Sequence, residues 1–466
     1  MKVILSGFNI ESEMIDRLAG RTREQLTPEV ISAAYARISR DPRSVAALRK
    51  EARQRVDTAR RSNERIVFGL GHASVAEHAV FNFDIMGISR LAVEELQHFR
   101  LASYTEKSQR YIRLSRDFVI PAEVEESGLA RDLENLQKKL HVMYERILEK
   151  LLDLGEDEGV AKEDARYVMP LATSAQLGMT VNARELEYMV SRLSAHGLRE
   201  LRDLAGSLAG AAQDIAPSLI RYPEPTEYSR GMIRTKDEIS RYGPVKTRVP
   251  SRTVRLVEAT RDADIRLAES LVFTAGHCAL TDARRAAVKM GRRGRNELIA
   301  RTFRHMRPHD SVWREFERIR FVFEVVVSSS CFAQLKRHRM ATMLPQRYTP
   351  ALGISVPGSI RHARAVSILR DGSRRAERIY RKIEKKAPHA CEYALSNAHR
   401  RRVLVGLNLR ELYHFSRLRS DTHAQWEIRE LSDAMCRLAS RYAPGGSRML
   451  GGKDAFEEKQ AKRPKL

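Results

Sequence analysis

Between Leu129 and Leu151 the apolar positions Leu129, Leu133, Leu136, Leu140, Met143, Ile147 and Leu151 recur at steps of three and four. That is the period of one helix face, and it predicts a long amphipathic helix with a packing stripe. Runs of another character stand on either side. FNFDIMGI after Val80 and RFVFEVVVSS after Ile319 read as strands, as do KVILSG from Lys2 and VRLVEAT from Val254. These runs fall two to each half and are followed by helix-rich stretches, so each half is expected to be α+β: a small, mainly antiparallel sheet packed with long helices.

The pattern breaks between residues 217 and 253, where Pro217, Pro223, Pro225, Pro244 and Pro250 interrupt any regular period. The expected organisation is a domain at 1–216, a linker at 217–253, a second domain at 254–444 and a polar, disordered tail at 445–466. The two domains are copies. TVNARELEYM aligns with GLNLRELYHF at an offset of 226, matching Asn182 with Asn408 and Arg184 with Arg410. Upstream, FRLASYTEKSQRY aligns with HRMATMLPQRY, matching Arg100 with Arg339 and Tyr111 with Tyr348. The offsets there are 239 and 237, so the second copy of this loop is two residues shorter.

Composition narrows the partners. Lys and Arg outnumber Asp and Glu by 83 to 59, a net charge of +24 that attracts nucleotides, folates, nucleic acid or acidic lipid. The four cysteines are scattered, with no CxxC pair, which fits a reducing cytoplasm. No stretch reaches the roughly 18 apolar residues of a membrane span. Walker, GxGxxG and GxSxG motifs are absent.

Four clusters carry candidate chemistry. Gln334, Arg337, His338 and Arg339 in CFAQLKRHRMAT concentrate donors suited to phosphate or a pyrimidine edge, although taken alone a solvated basic face is the readier explanation in so basic a chain. Arg419, Asp421, His423, Gln425 and Glu427 follow in LRSDTHAQWEIRELS, where Arg419 and His423 would share one helix face. Ser103, Glu106, Ser108 and Arg110 in LASYTEKSQRY are expected on a loop able to hold phosphate. GHASVAEHAVF adds His72, Ser74, Glu77 and His78, whose spacing is not HExxH, so no metal site is assigned. Cys331 has no adjacent base and reads as a buried, inert thiol.

Individually weak, these clusters stand in the order found in one family. The chain resembles flavin-dependent thymidylate synthases, with their RHR-x-x-S-x-N-E-x-S-x-R-Y signature, later N-A-R and LR-x-D-x-H-A-Q-x-E-I stretch. The first half is similar in EHAVFNF, LASYTEKSQRY, ARYVMPLATS and TVNARELEYM; the second in QLKRHRMAT, LNLRELYHF and LRSDTHAQWEIREL. The departures are complementary. In the first half the RHR position reads His98, Phe99, Arg100, the preceding Gln is Glu95, and the LR-x-D Arg aligns with Leu193. The second half keeps those residues but has Pro345 in a shortened loop, lacks E-x-S-x-R, and has Glu392 where the first has Arg166.

The resemblance implies reductive methylation of dUMP to dTMP with FAD, using NADPH and methylenetetrahydrofolate. It implies Arg419 as the catalytic residue at the pyrimidine, and Gln334, Arg337, Glu106, Ser108, Arg110 and Arg166 as dUMP-binding residues. FAD would be held by Arg337, His338, Arg339, Asn408, Arg410, His414, His423, Ser74, Glu77 and Glu106, with Thr105 and His414 replacing two of the family's Asn residues. Family sites are shared between subunits of a homotetramer, so a homodimer of this chain would mimic the tetramer with composite sites. The alternatives are a catalytically inactive nucleotide- or flavin-binding paralogue and a basic nucleic-acid-binding protein, with patches at Arg292, Arg293, Arg295 and Arg400, Arg401, Arg402.

Overall fold

A computed structural model describes residues 1–10, 27–37, 43–69, 72–109, 112–114, 116–220, 224–240, 242 and 249–461. Arg110 and Tyr111 fall outside the described residues, as do residues 462–466. The protein is α+β, with two four-stranded antiparallel sheets of the same topology. In the first, β1 (Lys2–Phe8), β2 (Val80–Ser89), β3 (Ala102–Glu106) and β4 (Ser174–Asn182) run in the order β1-β2-β4-β3. In the second, β5 (Val254–Ala259), β6 (Arg320–Ser328), β7 (Thr342–Pro345) and β8 (Arg400–Asn408) run β5-β6-β8-β7.

Alternation sets the buried face of each sheet. Phe81, Phe83 and Ile85 of β2 are buried while Asn82 and Asp84 are exposed, and Phe321, Phe323 and Val325 do the same in β6. The sequence reading put Ser103 and Glu106 on a loop. Instead both lie on edge strand β3, with Ser103 opposite Thr180 and Glu106 opposite Leu177. The matching edge β7 ends at Pro345, a residue an edge strand tolerates because its missing N–H is not needed by a neighbour.

Among the helices of the first repeat are α1 (Arg90–Leu96), α2 (Ala130–Asp153), α3 (Ala183–Ser194) and α4 (Arg199–Gln213). Helix α5 (Glu227–Ser240) lies inside the expected linker, in the proline-free interval after Pro225. Its first turn is capped by Thr226, whose Oγ1 accepts from Ser229 N at 3.1 Å. Helices α6 (Ser329–Leu335), α7 (Val366–Glu384), α8 (Leu409–Arg419) and α9 (Trp426–Ser440) belong to the second repeat, and α10 (Phe456–Ala461) follows.

The compact units are not the two repeats. Unit one comprises residues 1–142, 169–246 and 374–394; unit two comprises 143–168, 247–373 and 395–466. The divisions fall inside α2 and α7, so each repeat gives the end of its long helix, and the turn after it, to the unit built on the other repeat's sheet. The linear boundaries at 216 and 254 therefore do not describe the packing.

The tail also departs from expectation, because residues 445–461 are folded. Gly445 N and Gly446 N donate to the Asp264 carboxylate at 2.8 and 2.9 Å, and Tyr413 Oη donates to Gly446 O at 2.6 Å. Gly446 is closely packed: a Cβ there would stand 3.0 Å from Leu409 and 3.1 Å from Leu267, so those side chains would have to shift by a few tenths of an ångström to admit one. Met449, Leu450 and Phe456 then enter the core of unit two. A few well-spaced apolar residues outweigh the polar average. Replacing Phe456 with Ala should destabilise unit two by about 3 kcal/mol, read as a lower urea midpoint; an unchanged midpoint would show that the tail is not part of the cooperative fold.

Candidate functional site

In unit two, β6 delivers the chain into α6 through Ser328, whose Oγ caps the helix by accepting from Cys331 N at 3.1 Å. The short helix carries Gln334, and the turn after it carries Arg337, His338 and Arg339. Facing them, α8 ends at Arg419, which donates from Nε to His338 Nε2 at 3.0 Å and from Nη1 to Gln334 Oε1 at 3.1 Å. Arginine can only donate, so His338 Nε2 carries the lone pair and Nδ1 the proton. Nδ1 lies 3.3 Å from Glu411 Oε1, both buried and without hydrogen-bond alignment. Burial, then the charges of Arg419, His414 and Arg337, hold His338 far below its ordinary pKa, so it is a neutral imidazole at pH 7. Arg337, Arg339 and His414 are exposed around it.

The segment exchange places Arg166 in this same unit. A 3-10 turn, Arg166–Val168, is fixed from the second repeat: Asn397 Nδ2 donates to Arg166 O at 3.0 Å and Ala398 N to Tyr167 O at 2.9 Å. The Tyr167 hydroxyl donates to Glu427 Oε2 at 2.8 Å and accepts from Gln425 Nε2 at 2.6 Å. The Glu427 carboxylate also accepts from Ser328 N at 3.1 Å, Ser328 Oγ at 2.5 Å and Ser355 Oγ at 2.7 Å. Tyr167 is fully buried and stacks on Trp426 at 6.0 Å. Burial and then the Glu427 charge push its phenol well above the ordinary value, keeping it a donor. Burial likewise raises the Cys331 thiol, in agreement with the inert role read from sequence.

Unit one repeats the scaffold but, of the arginines at 166, 337, 339 and 419, keeps only Arg100 in the place of Arg339. Ser89 N and Oγ donate to Glu200 at 2.6 and 2.7 Å, and Tyr393 Oη, from the other repeat, donates to Glu200 Oε2 at 2.5 Å. Where unit two pairs His338 with His414, unit one sets Phe99 edge-on to Tyr188 at 5.7 Å. His98 sits 3.3 Å from Glu95, Leu193 replaces the arginine, and buried Glu392 stands in the position of Arg166. Scaffold and charge have diverged separately.

A family model for "Thymidylate synthase complementing protein" (Thy1) matches residues 23–218 and again 255–445. The chain belongs to the Thy1 family. The flavin-dependent thymidylate synthase of Clostridium tetani is 30% identical over 216 residues, covering 43% of this chain and 83% of that enzyme. That of Pyrococcus furiosus is 38% identical over 140 residues, covering 30% of this chain and only 57% of its own length. A Thermoplasma acidophilum protein named only as UPF0159 is 24% identical over 422 residues, covering 80% of this chain and 84% of its own, and so runs through both Thy1 repeats. A solved ThyX from Helicobacter pylori, complexed with FAD and dUMP, aligns over its whole length with 48% of this chain at 21% identity and a TM-score of 0.33. No helix among the described residues is long and apolar enough to cross a membrane.

Within the Thy1 repeats, other predicted residues have structural duties. Asn408 caps α8, accepting from Glu411 N at 2.8 Å, and Arg410 is tied to Val312 O and Glu317, both at 3.0 Å. Their counterparts Asn182 and Arg184 cap α3 and pair with Glu77 at 2.5 Å, while Ser74 is exposed on the same 3-10 turn, Ala73–His78. Glu106 is engaged by Arg90 in a buried ion pair at 2.5 Å, and Ser108 is half-buried beside it in sequence. Arg419 and His423 do not share a helix face, because α8 stops at Arg419. His423 instead points to solvent and contacts Asp421 Oδ1 at 2.9 Å. Sequence reasoning missed the roles of Tyr167, Tyr393, Glu200, Glu411 and Glu317. The repeat offsets could have found the first three, since Tyr167 and Tyr393, and Glu200 and Glu427, pair at 226 and 227.

Asp164, next to this turn, is mostly buried and accepts from Ser359 Oγ at 2.5 Å. Burial lifts its carboxyl from 3.8 to about 6, opposed by the Ser359 bond and the Arg166 charge. The folded chain therefore holds this proton more tightly than the unfolded one, and the associated stability is complete below 3.8 and lost as pH rises through about 6. Relative to Asp164→Asn, the wild-type chain should lose up to about 3 kcal/mol between about pH 4 and pH 7, measured by urea unfolding at each pH. A constant difference between the two proteins would contradict the assignment.

Proposed function

We propose that the chain is a flavin-dependent thymidylate synthase that methylates dUMP to dTMP with methylenetetrahydrofolate and NADPH, at a site centred on unit two. The observation that carries this reading is that one unit holds the Gln334–Arg419–His338 cluster together with Arg166 from the other repeat. Arg419 is assigned to the pyrimidine carbonyl edge, where a fixed positive charge stabilises the polarised ring. Gln334 holds Arg419 in that pose, and Arg337 and Arg166 bind the nucleotide. Ser108 and Arg110, with Glu106 for nucleotide and flavin, are assigned to its phosphate side as contributions of the second chain of a homodimer.

The residues around His338 fit a phosphate-bearing aromatic cofactor. A buried, neutral imidazole is flanked by the exposed donors Arg337, Arg339 and His414, with His423 also exposed. Asn408 and Arg410 would support FAD through the α8 cap and the Glu317 turn, with Ser74 and Glu77 supplying the corresponding turn of the first repeat. FAD supplies hydride transfer, so the chain's task is binding, orientation and exclusion of water. Two chains together carry four Thy1 repeats, and the proposed assembly is a homodimer of twice the 53.2 kDa chain mass.

A second reading, a flavin- or nucleotide-binding relative without turnover, draws on the loss from unit one of the counterparts of Arg166, Arg337 and Arg419. Purified protein should show a flavin spectrum bleached by NADPH and should form dTMP from dUMP. Arg419→Ala and Arg166→Ala should each lower dTMP formation by about 100-fold or more and abolish rescue of a thymidine-requiring strain. His98→Ala, at the altered position in unit one, should leave both intact. Bleaching without dTMP would support the second reading, and full activity in Arg166→Ala would remove the shared-repeat site.

A further inference from the structure

Beyond Pro444 the chain folds back along α9, and between the helix and the returning segment is a cleft of about 590 Å³. Small-molecule sites span about 300–1,000 Å³. Arg437 and Arg441 line it from the helix and its end, Arg448 and Lys459 from the returning segment, and Asp433 is the one carboxylate among them. Arg437, Arg441 and Arg448 make no ion pair among the described residues. Lys459 is held by Leu450 O. Cys436, also on the wall, adds no negative charge, since burial and then Asp433 push its thiol up to about 12.

A second observation points to a ligand rather than a solvated basic face. Ser447 lines the cleft, is only 4% exposed, and its Oγ has no hydrogen-bond partner in the protein. A buried hydroxyl left in that state costs about 1–3 kcal/mol, and a rotation of the Ser447 side chain toward the cleft would let a ligand oxygen satisfy it. The rigidity needed for a site is present, because the Asp264, Tyr413 and Ser416 bonds pin residues 445–451. The cleft is also particular to the second repeat. At the offset that pairs Glu200 with Glu427, Arg437 and Arg441 correspond to Gly210 and Asp214. Its floor from Gly446 onward lies outside the family match.

We propose that this cleft binds a small phosphorylated ligand of nucleotide size. Arginine forks match phosphate oxygens bidentately, the excess of cations suits more than one phosphate charge, and Pro444 and Leu450 provide apolar surface for an organic remainder. The site reaches Ser420, the residue after Arg419, but shares none of the residues assigned to dUMP or FAD.

The test is hydrogen exchange on the full chain carrying Arg419→Ala, which separates this site from the proposed nucleotide site, with pyrophosphate, ADP or duplex DNA as probes. Pyrophosphate or ADP should protect residues 433–461, with affinity about tenfold or more weaker in Arg437→Ala/Arg441→Ala and only partly restored by Lys at both positions, which returns the charge but not the fork. Equal protection by the two probes would identify inorganic phosphate as the recognised group, and tighter binding of ADP a nucleoside phosphate. Both positions are exposed, so an unchanged melting temperature is expected of the variants. Absence of protection at about 1 mM, unaltered binding by the double Ala variant, or protection by DNA alone would overturn the proposal.

Discussion

The Glu427 carboxylate holds unit two together at its most exacting point. It accepts from Ser328 N, Ser328 Oγ, Ser355 Oγ and Tyr167 Oη, drawing the end of β6, the loop after β7, the start of α9 and a turn from the other repeat to one pair of oxygens. A half-buried carboxylate without these donors would carry a desolvation penalty of about 1–3 kcal/mol or more, so each element has a reason to stay. Glu200 performs the same task in unit one with Ser89 and Tyr393, and there burial raises the carboxyl's pKa. The Ser that accepts the helix N–H also donates to the carboxylate, which couples the strand-to-helix turn to the exchanged segment. Gln334 and Arg419 are positioned by the same elements.

Much of this was legible. The repeat follows from aligned motifs, and the four predicted strands, the amphipathic helix and the α+β class from periodicity, because burial on one face leaves its period in the residues. The partners of that face leave no such mark. Leu140, Met143 and Ile147 present the same stripe whichever repeat they pack against, so the exchange inside α2 could not be read from it. Arg419 and His423 were placed on one face by spacing, but Ser420 ends the helix. The tail read as disordered from its average polarity, whereas Phe456, Met449 and a glycine fitted between Leu409 and Leu267 decided otherwise. Glu106 was read as a ligand group without its partner, since Arg90 lies 16 residues away and only the pairing of β3 with β4 brings that edge into place.

The two units show how a duplicated site diverges. The carboxylate, serine and tyrosine that hold the backbone are present in both, because their loss leaves buried polar atoms unsatisfied. The positions of Gln334, Arg337, His338, Arg419 and Arg166 are not so constrained. In unit one they have become Glu95, His98, Phe99, Leu193 and Glu392, an arrangement of local pairs and apolar contact that replaces a cationic cluster. What is kept in both units is the part that holds the backbone of the fold together.

The exchange of segments also constrains how the protein is made. Tyr167 emerges from the ribosome 260 residues ahead of Glu427, and at about 5–20 residues per second this is a wait of about 13–50 s. During that time the first repeat has its own sheet but lacks residues 374–394, and residues 143–168 have nothing to close against. Neither repeat can be completed until nearly the whole chain has been synthesised. The two repeats thus share a single folding event, in which the nascent first half depends on a second half not yet translated.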